Sequence, residues 1–118
     1  MMRTNFTMED KYIRMSRGDT LSFGIQVCDE DGAPFGQDLE RACFTCKSNR
    51  SDARFLFQKS LSDGISKIGQ GAYTVRVAPS DTARAKPGKY FYDLEIGCNG
   101  DVFTVMRGVL EIMQDVTF

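Results

Sequence analysis

The sequence predicts an all-β protein, because apolar and polar residues alternate over most of the chain and turn-forming residues separate the alternating runs. Size agrees with this, since 118 residues with 42% hydrophobic and 26% charged content suit one domain with its own core. We expect a single domain over residues 12–118, preceded by residues 1–11 as an amino-terminal arm or edge strand.

The first half of the chain contains the clearest strand. In TLSFGIQVCDE one face is apolar and consists of Leu21, Phe23, Ile25 and Val27. The turn-forming segment DEDGAP must end this strand. RACFTCKS alternates in the same way, with Ala42, Phe44 and Cys46 on one face. RFLFQKS predicts a short strand of ambiguous facing, and SDGISKIGQG a short strand or a turn.

The second half alternates again. AYTVRVAP predicts a strand that ends at Pro79, because proline cannot donate a ladder hydrogen bond. KYFYDLEIG predicts a strand whose apolar face consists of Tyr90, Tyr92, Leu94 and Ile96. CNGD is a tight hairpin turn, since Asn99-Gly100 tolerates positive φ. VFTVMRGVLEI is the returning strand, with a bulge or bend expected at Gly108.

One short segment, PSDTARAKPGKY, predicts a helical turn. Ser80 or Asp81 can cap this turn, and Pro87-Gly88 must stop it. The segment is too short for more than one or two turns.

Six to eight short alternating strands bury their apolar rows best as two antiparallel sheets packed face to face. We therefore predict an immunoglobulin-like antiparallel β-sandwich of about seven strands, with a small barrel as the alternative. The turn followed by a tyrosine-bearing strand resembles the crossover between the sheets of such a sandwich. We expect Tyr90 or Tyr92 to anchor that crossover through a hydroxyl hydrogen bond.

Charge and hydropathy exclude several classes of partner. Fifteen basic and sixteen acidic residues leave a net charge of -1, so no global field attracts nucleic acid or an anionic membrane. No apolar run approaches the length of a bilayer crossing, and the amino terminus lacks the apolar segment of a signal peptide. We expect no membrane partner, and cysteines held as thiols in a reducing compartment.

The residue types that usually carry catalysis are missing. The chain has no histidine, and it contains no nucleophile elbow or phosphate-binding loop. Cys43 and Cys46 have the spacing of a zinc or redox pair, but zinc would also need Cys28 and Cys98. Residues three apart on a strand point to opposite faces, which favours packed thiols. We predict a non-enzymatic protein without cofactor, metal or catalytic residues.

The acidic segment DEDGAPFGQDLE invites a calcium interpretation. Asp29, Asp31 and Glu40 occupy positions one, three and twelve of an EF-hand loop. Position six, which must be glycine, is Pro34, and the flanking segments are predicted strands. An acidic solvated turn is the better interpretation.

Arg17-Gly18-Asp19 spells a tripeptide that adhesion receptors recognise. Glycine and a short polar residue are also what a turn ahead of a strong strand requires. Because no export signal precedes it, we interpret the tripeptide as the opening of a strand.

Four segments in order carry a family resemblance over about residues 12 to 117: RGDTLSFGIQVCDEDGAPF, FLFQKSLSDGI, GAYTVRVAPSDTARAKPGKYFYDLEI and VFTVMRGVLEIMQDVT. Within them stand Asp63-Gly64-Ile65, the Asp81-Thr82 turn and a closing Asp115-Val116-Thr117. Together they resemble the amino-terminal immunoglobulin-like domain of phage baseplate upper proteins and its small prophage relatives.

The resemblance implies a non-catalytic structural module of a phage or prophage tail or baseplate. Its partners would be other tail proteins and further copies of itself, and it would be made in the bacterial cytoplasm before entering the virion. The sequence ends at Phe118 and does not include the carboxy-terminal receptor-binding or shaft region of the longer members, so a connector, an accessory tail protein and an excised domain are equal expectations. The family supplies no catalytic residue to transfer.

Two questions stay open from the sequence. The interface is not assigned, because Phe91 or Phe103 could face outward or lie under a second sheet. The competing function is a small carbohydrate-binding module, although the chain has no tryptophan to serve as a stacking platform.

Overall fold

The computed structural model describes residues 3–4 and 10–115, and these residues form nine strands and one helical turn. Most of the predicted arm, residues 1–2 and 5–9, lies outside the described residues, as do Val116 and Thr117. The elements in chain order are β1 (Arg3–Thr4), β2 (Asp10–Ser16), β3 (Leu21–Cys28), β4 (Arg41–Lys47), β5 (Phe57–Leu61), β6 (Gly64–Gly69), β7 (Ala72–Val77), α1 (Pro79–Thr82), β8 (Gly88–Cys98) and β9 (Asp101–Met113). The prediction of an all-β fold is confirmed.

The strands form one curved, barrel-like sheet in the order β1-β3-β7-β6-β5-β4-β8-β9-β2. β8 and β9 are its longest strands and form the predicted hairpin, with Cys98 opposite Asp101. Asn99 and Gly100 in the turn have φ values of 55° and 84°, which a primed two-residue turn requires.

The prediction of a wholly antiparallel sheet is wrong, because two of the pairings are parallel. β2 runs parallel to β9 from Asp10 opposite Arg107 to Ser16 opposite Met113, and β5 pairs with β6 in parallel at two positions. Nearly the whole chain separates β2 from β9, so no local turn sets their relative direction. The sheet also has nine strands among the described residues, where about seven were expected.

The apolar rows predicted for the strongest strands face the core. Phe44, Val27 and Leu94 have no exposed surface, and Tyr73 is 2% exposed. The predicted inner face of β8 is buried throughout and consists of Tyr90, Tyr92, Leu94 and Ile96. Burial of these rows supplies the main stabilising free energy of the fold.

The structure shows which side chains of the segment around Phe55 and Phe57 face the core. Phe57 is buried and begins β5, whereas Phe55 precedes the strand and is 51% exposed. The following segment, for which the sequence allowed a strand or a turn, forms strand β6.

The bulge expected at Gly108 lies elsewhere. Gly108 sits in regular register opposite Tyr92, and the register shift falls where Leu94 and Glu95 face β9. Val105 is the extra residue there, and it is buried next to the buried Met106. Because VFTVM is largely apolar, its pattern does not show which residue is inserted relative to β8. The glycine was therefore the predicted position of the bulge.

The helical turn α1 begins after Ala78, so neither Ser80 nor Asp81 occupies the capping position, although Asp81 bonds back to that position. The backbone N–H of Ala78 donates to Asp81 Oδ2 at 2.7 Å, and the same oxygen lies 2.7 Å from Lys59 Nζ on β5. α1 ends at Thr82, so Pro87 does not terminate it. Asp81 therefore ties this turn to the sheet.

The predicted tyrosine anchor is Tyr90. Its ring is buried, and its hydroxyl donates to the backbone carbonyl of Lys86 at 2.7 Å. This bond holds the segment between α1 and β8 against the sheet.

We expect Tyr90→Phe to lower the free energy of unfolding by about 1–2 kcal/mol, because the Lys86 carbonyl loses its partner. Urea unfolding followed by circular dichroism measures the change. Tyr12→Phe is the matched control, since the Tyr12 hydroxyl is bonded at the surface and its removal should cost at most about 0.5 kcal/mol. Equal effects of the two substitutions would contradict the anchoring role.

Candidate functional site

The outer face of β4, β8, β9 and β2, here called the outer face, carries an apolar row. The register places Lys47 beside Phe91, Phe91 beside Val109, and Val109 beside Tyr12. Residues paired in this way point to the same side of a sheet. Tyr12 is 50% exposed, whereas Phe91 and Val109 are half-buried. The sheet thus places two aromatic rings on one face, of which Tyr12 is the more exposed.

Charged residues surround Tyr12 at one end of this row. Glu111 accepts hydrogen bonds from the Tyr12 hydroxyl at 2.5 Å and from Arg14 Nε at 3.2 Å. The Tyr12 bond, with help from Arg14, lowers the pKa of Glu111, and the same bond raises the pKa of Tyr12. Lys89 Nζ lies 6.0 Å from the centre of the Tyr12 ring. The hydroxyl end of the exposed ring is therefore engaged with Glu111.

A hollow of about 230 Å³, here called the cationic hollow, opens at the Phe91 end of the row. The next row of the outer face, in which Asp93 lies between Thr45 and Arg107, forms part of its lining. Its lining residues are Thr45, Lys47, Arg50, Phe91, Tyr92, Asp93 and Arg107.

Arg50 reaches the hollow from the loop after β4. The backbone N–H of Asn49 donates to Asp52 Oδ2 at 3.1 Å, and that of Asp52 donates to the carbonyl of Asn49 at 3.1 Å. The turn closed by these bonds places the Arg50 guanidinium carbon 4.6 Å from the centre of the Phe91 ring. A cation at this distance is attracted to the face of the ring.

Asp93 is the one carboxylate that the described residues contribute to the lining. Burial raises its pKa, the neighbouring Glu95 raises it further, and Lys47 opposes both effects. Glu95 itself accepts a hydrogen bond from Arg41 Nε at 2.7 Å, outside the hollow. The charge of the lining is therefore mainly positive.

The Arg17-Gly18-Asp19 tripeptide forms the turn that opens β3, as predicted. Arg17 pairs with Asp115 at 2.9 Å, and the two side chains are only 28% and 12% exposed. The backbone N–H of Gly18 donates to the hydroxyl of the buried Thr82 at 2.9 Å. Arg17 is thus engaged within the molecule, and the tripeptide ties the start of β3 to α1 and to the end of the chain.

The cysteines follow the packing interpretation. Cys46 is fully buried in the core, whereas Cys43, three residues earlier on β4, is half-buried and points to the opposite face. Cys28 and Cys98 are buried, and all four are free thiols. In the part of the chain that the structure describes, no group of three or more acidic or cysteine side chains could hold a metal ion.

Burial raises the pKa of Cys46 to about 12, so its thiol is almost wholly protonated at pH 8 and is a poor nucleophile. We expect iodoacetamide at pH 8 to alkylate Cys43 well before Cys46, which should react only after unfolding in urea. Peptide mass spectrometry measures the two rates, and Cys43→Ser should remove the faster one. Equal rates in the folded protein would contradict the buried position of Cys46.

The acidic segment forms a turn, as predicted. Asp29 Oδ1 accepts hydrogen bonds from the backbone N–H groups of Asp31 and Ala33, at 2.9 and 3.0 Å. Gly32 in the same turn has φ +85°. The carboxylate at position one of the calcium pattern is therefore used to close the turn after β3.

The two aromatics left open by the sequence lie on different faces. Phe91 is on the outer face under Arg50, whereas Phe103 is opposite the buried Ile96 at the rim and is 36% exposed. Sequence reasoning missed Tyr12, because β2 starts at Asp10 and so includes the predicted boundary between arm and domain. The alternation in KYIRM could have indicated it.

Comparison with known proteins supports the fold alone. No protein-family model and no curated protein matches the chain. Among solved structures the chain is similar to the endo-β-1,4-mannanase from Thermotoga petrophila, with a TM-score of 0.55 and 12% identity. The match covers 97% of this chain and 20% of the mannanase chain, so this chain spans about a fifth of the length of that enzyme. No helix in residues 3–4 and 10–115 is long and apolar enough to cross a membrane.

Proposed function

We propose that the chain is a non-enzymatic structural module of a phage or prophage tail or baseplate, and that it acts through protein-protein contacts as a homo-oligomer. The single observation that supports contact formation is the outward row of Tyr12, Val109 and Phe91 on the outer face. Aromatic residues on a rigid surface bounded by charges are typical of the centre of protein interfaces. The phage setting rests on the family resemblance of the sequence.

We further propose that the curved sheet is an immunoglobulin-like sandwich. Two features support this proposal: the tyrosine hydroxyl bond at the start of β8, and the placement of β1 and β2 at opposite ends of the strand order. In such a sandwich a tyrosine near the start of the penultimate strand bonds to the backbone just before it. Tyr90 and Lys86 have this relationship.

The phage assignment is tested by mass spectrometry of particles purified after prophage induction in the source bacterium. We expect peptides of this chain at a reproducible copy number relative to the other tail proteins. Finding the chain only in the cytosol, while the other tail proteins are in the particles, would overturn the assignment.

The assembly surface is tested on the purified protein. We expect Tyr12→Ser to dissociate the oligomer while changing the free energy of unfolding by about 1 kcal/mol or less, because this side chain is half-exposed. Light scattering coupled to size exclusion measures the mass, and urea unfolding measures stability. Ile68→Ser is the control, since Ile68 is 66% exposed on β6, away from the outer face. A monomeric parent protein, or equal effects of both variants, would contradict this surface.

The second candidate is carbohydrate binding, and the exposed ring of Tyr12 is the feature that favours it. Only one open ring is offered, however, because Arg50 lies over Phe91. If the purified domain binds a glycan saturably and Tyr12→Ser loses that binding, carbohydrate binding is favoured over assembly as the function.

A further inference from the structure

We propose that the cationic hollow is a binding site for an oxyanion, meaning a carboxylate or a phosphate group. Among the described residues, its lining contains the cations Lys47, Arg50 and Arg107 and one carboxylate, that of Asp93. The chain as a whole carries a net charge of -1, so this excess of positive charge is local. The site shares Phe91 with the proposed assembly surface, but it goes beyond the proposed function, because its ligand is an oxyanion and not another copy of the chain.

Two cations of the hollow, Lys47 and Arg50, differ from several other cations of the chain in how they are paired. Arg14, Arg17 and Arg41 each lie within salt-bridge distance of a carboxylate. No carboxylate among the described residues lies within that distance of Lys47 or Arg50. An external anion would therefore supply a partner that the described residues do not supply to Lys47 and Arg50.

The hollow is built on rigid elements, so little ordering is needed when a ligand binds. Lys47, Asp93 and Arg107 stand on strands whose register is set by backbone hydrogen bonds. Arg50 is positioned by the closed turn at Asn49–Asp52 and by the Phe91 ring beneath it. Preorganised side chains lose less conformational entropy on binding, which raises affinity.

The geometry also defines the ligand class. A guanidinium lying over an aromatic ring keeps its N–H groups at its edge, where they can bind two oxygens of one carboxylate or phosphate. Because Arg50 covers the Phe91 ring, that ring is not available as a platform for a flat apolar ligand. A volume of about 230 Å³ suits a compact charged group.

Two probes test the site and separate the sources of the oxyanion. Inorganic phosphate is titrated by calorimetry, and a fluorescein-labelled hexaglutamate peptide is titrated by fluorescence anisotropy. We expect saturable binding of one probe or both, at one site per chain. Tighter binding of the peptide would assign the site to an acidic segment of a protein, and tighter binding of phosphate would assign it to a small phosphorylated ligand. Saturable binding of neither would overturn the proposal.

One substitution that should weaken binding and one that should strengthen it make the test specific. Arg50→Gln should weaken binding about tenfold or more, because a charge-assisted hydrogen bond is lost. Arg84→Gln removes an equal charge from an exposed residue outside the lining and should change binding less than about twofold. Asp93→Asn removes a repulsive carboxylate from the lining and should strengthen binding. Equal effects of the two arginine variants, or weaker binding by Asp93→Asn, would overturn the proposal.

Tyr12→Ser distinguishes a failure of the anion-site proposal from a failure of the assembly proposal. Tyr12 does not line the hollow, so Tyr12→Ser should keep the affinity for the bound probe even where it dissociates the oligomer. Loss of binding in that variant would show that the hollow works only within an assembly, and would overturn the claim that it is independent.

Discussion

Phe44→Ala should lower the free energy of unfolding by about 3–5 kcal/mol, the range for truncation of a buried phenylalanine. Phe44 has no exposed surface, and three other rings surround it. The ring centres of Phe23 and Tyr92 each lie 5.4 Å away, and that of Phe57 lies 6.0 Å away. Alanine would leave a cavity among four strands, because Phe23, Phe44, Phe57 and Tyr92 stand on β3, β4, β5 and β8.

Urea unfolding followed by circular dichroism measures this effect, since the chain has no tryptophan to report it by fluorescence. Phe55→Ala is the matched control, because Phe55 is 51% exposed and precedes β5. We expect that control to change stability by about 0.5 kcal/mol or less. A loss below about 1 kcal/mol for Phe44→Ala would mean that Phe44 is not at the centre of the core.

Gly71→Ala should destabilise the protein by about 3 kcal/mol or more, since it combines an unfavourable backbone angle with a clash. Gly71 has φ +68°, and a Cβ atom there would lie 2.5 Å from the carbonyl oxygen of Val27 and 2.8 Å from the backbone nitrogen of Phe35. The Gly71 carbonyl also accepts a 2.7 Å hydrogen bond from the Val27 N–H. Relieving the clash would pull β3 and the turn before β7 apart.

Gly100→Ala is the matched control, because it tests the cost of a positive φ angle without a clash. Gly100 has φ +84°, but nothing lies within 4 Å of a Cβ built there. We expect this control to cost about 1–2 kcal/mol, the usual cost of a left-handed residue with a side chain. Equal losses for the two variants in urea unfolding would show that the close approach at Gly71 is relaxed in solution.

Local sequence pattern was sufficient where a strand buries one face and a turn needs particular residues. The inner rows of β3, β4 and β8 follow from strict alternation, and the β8–β9 hairpin follows from Asn99-Gly100. An anchoring bond from Tyr90 or Tyr92 was also predicted, and the structure assigns it to Tyr90, which bonds to Lys86 four residues earlier. Such features depend on neighbouring residues in the chain, whose geometry is limited by the backbone.

The candidate site depended on contacts that the sequence pattern did not contain. Tyr12 and Val109 are side by side because β2 runs parallel to β9, and Arg107 shares a hollow with Arg50 because β8 lies between β4 and β9. The register shift at Val105 is a similar case, since its position depends on which residues of β8 it faces.

The sequence by itself determined the all-β class, the inner faces of the strongest strands, the hairpin and the turns, because each follows from side-chain period or from the φ angles that a residue accepts. Only the tertiary structure decided the parallel edge pairing, the use of Arg17 in an ion pair with Asp115, and the meeting of Lys47, Arg50 and Arg107. These last features join residues far apart in the chain, and their proximity is set by how the whole sheet curves and packs.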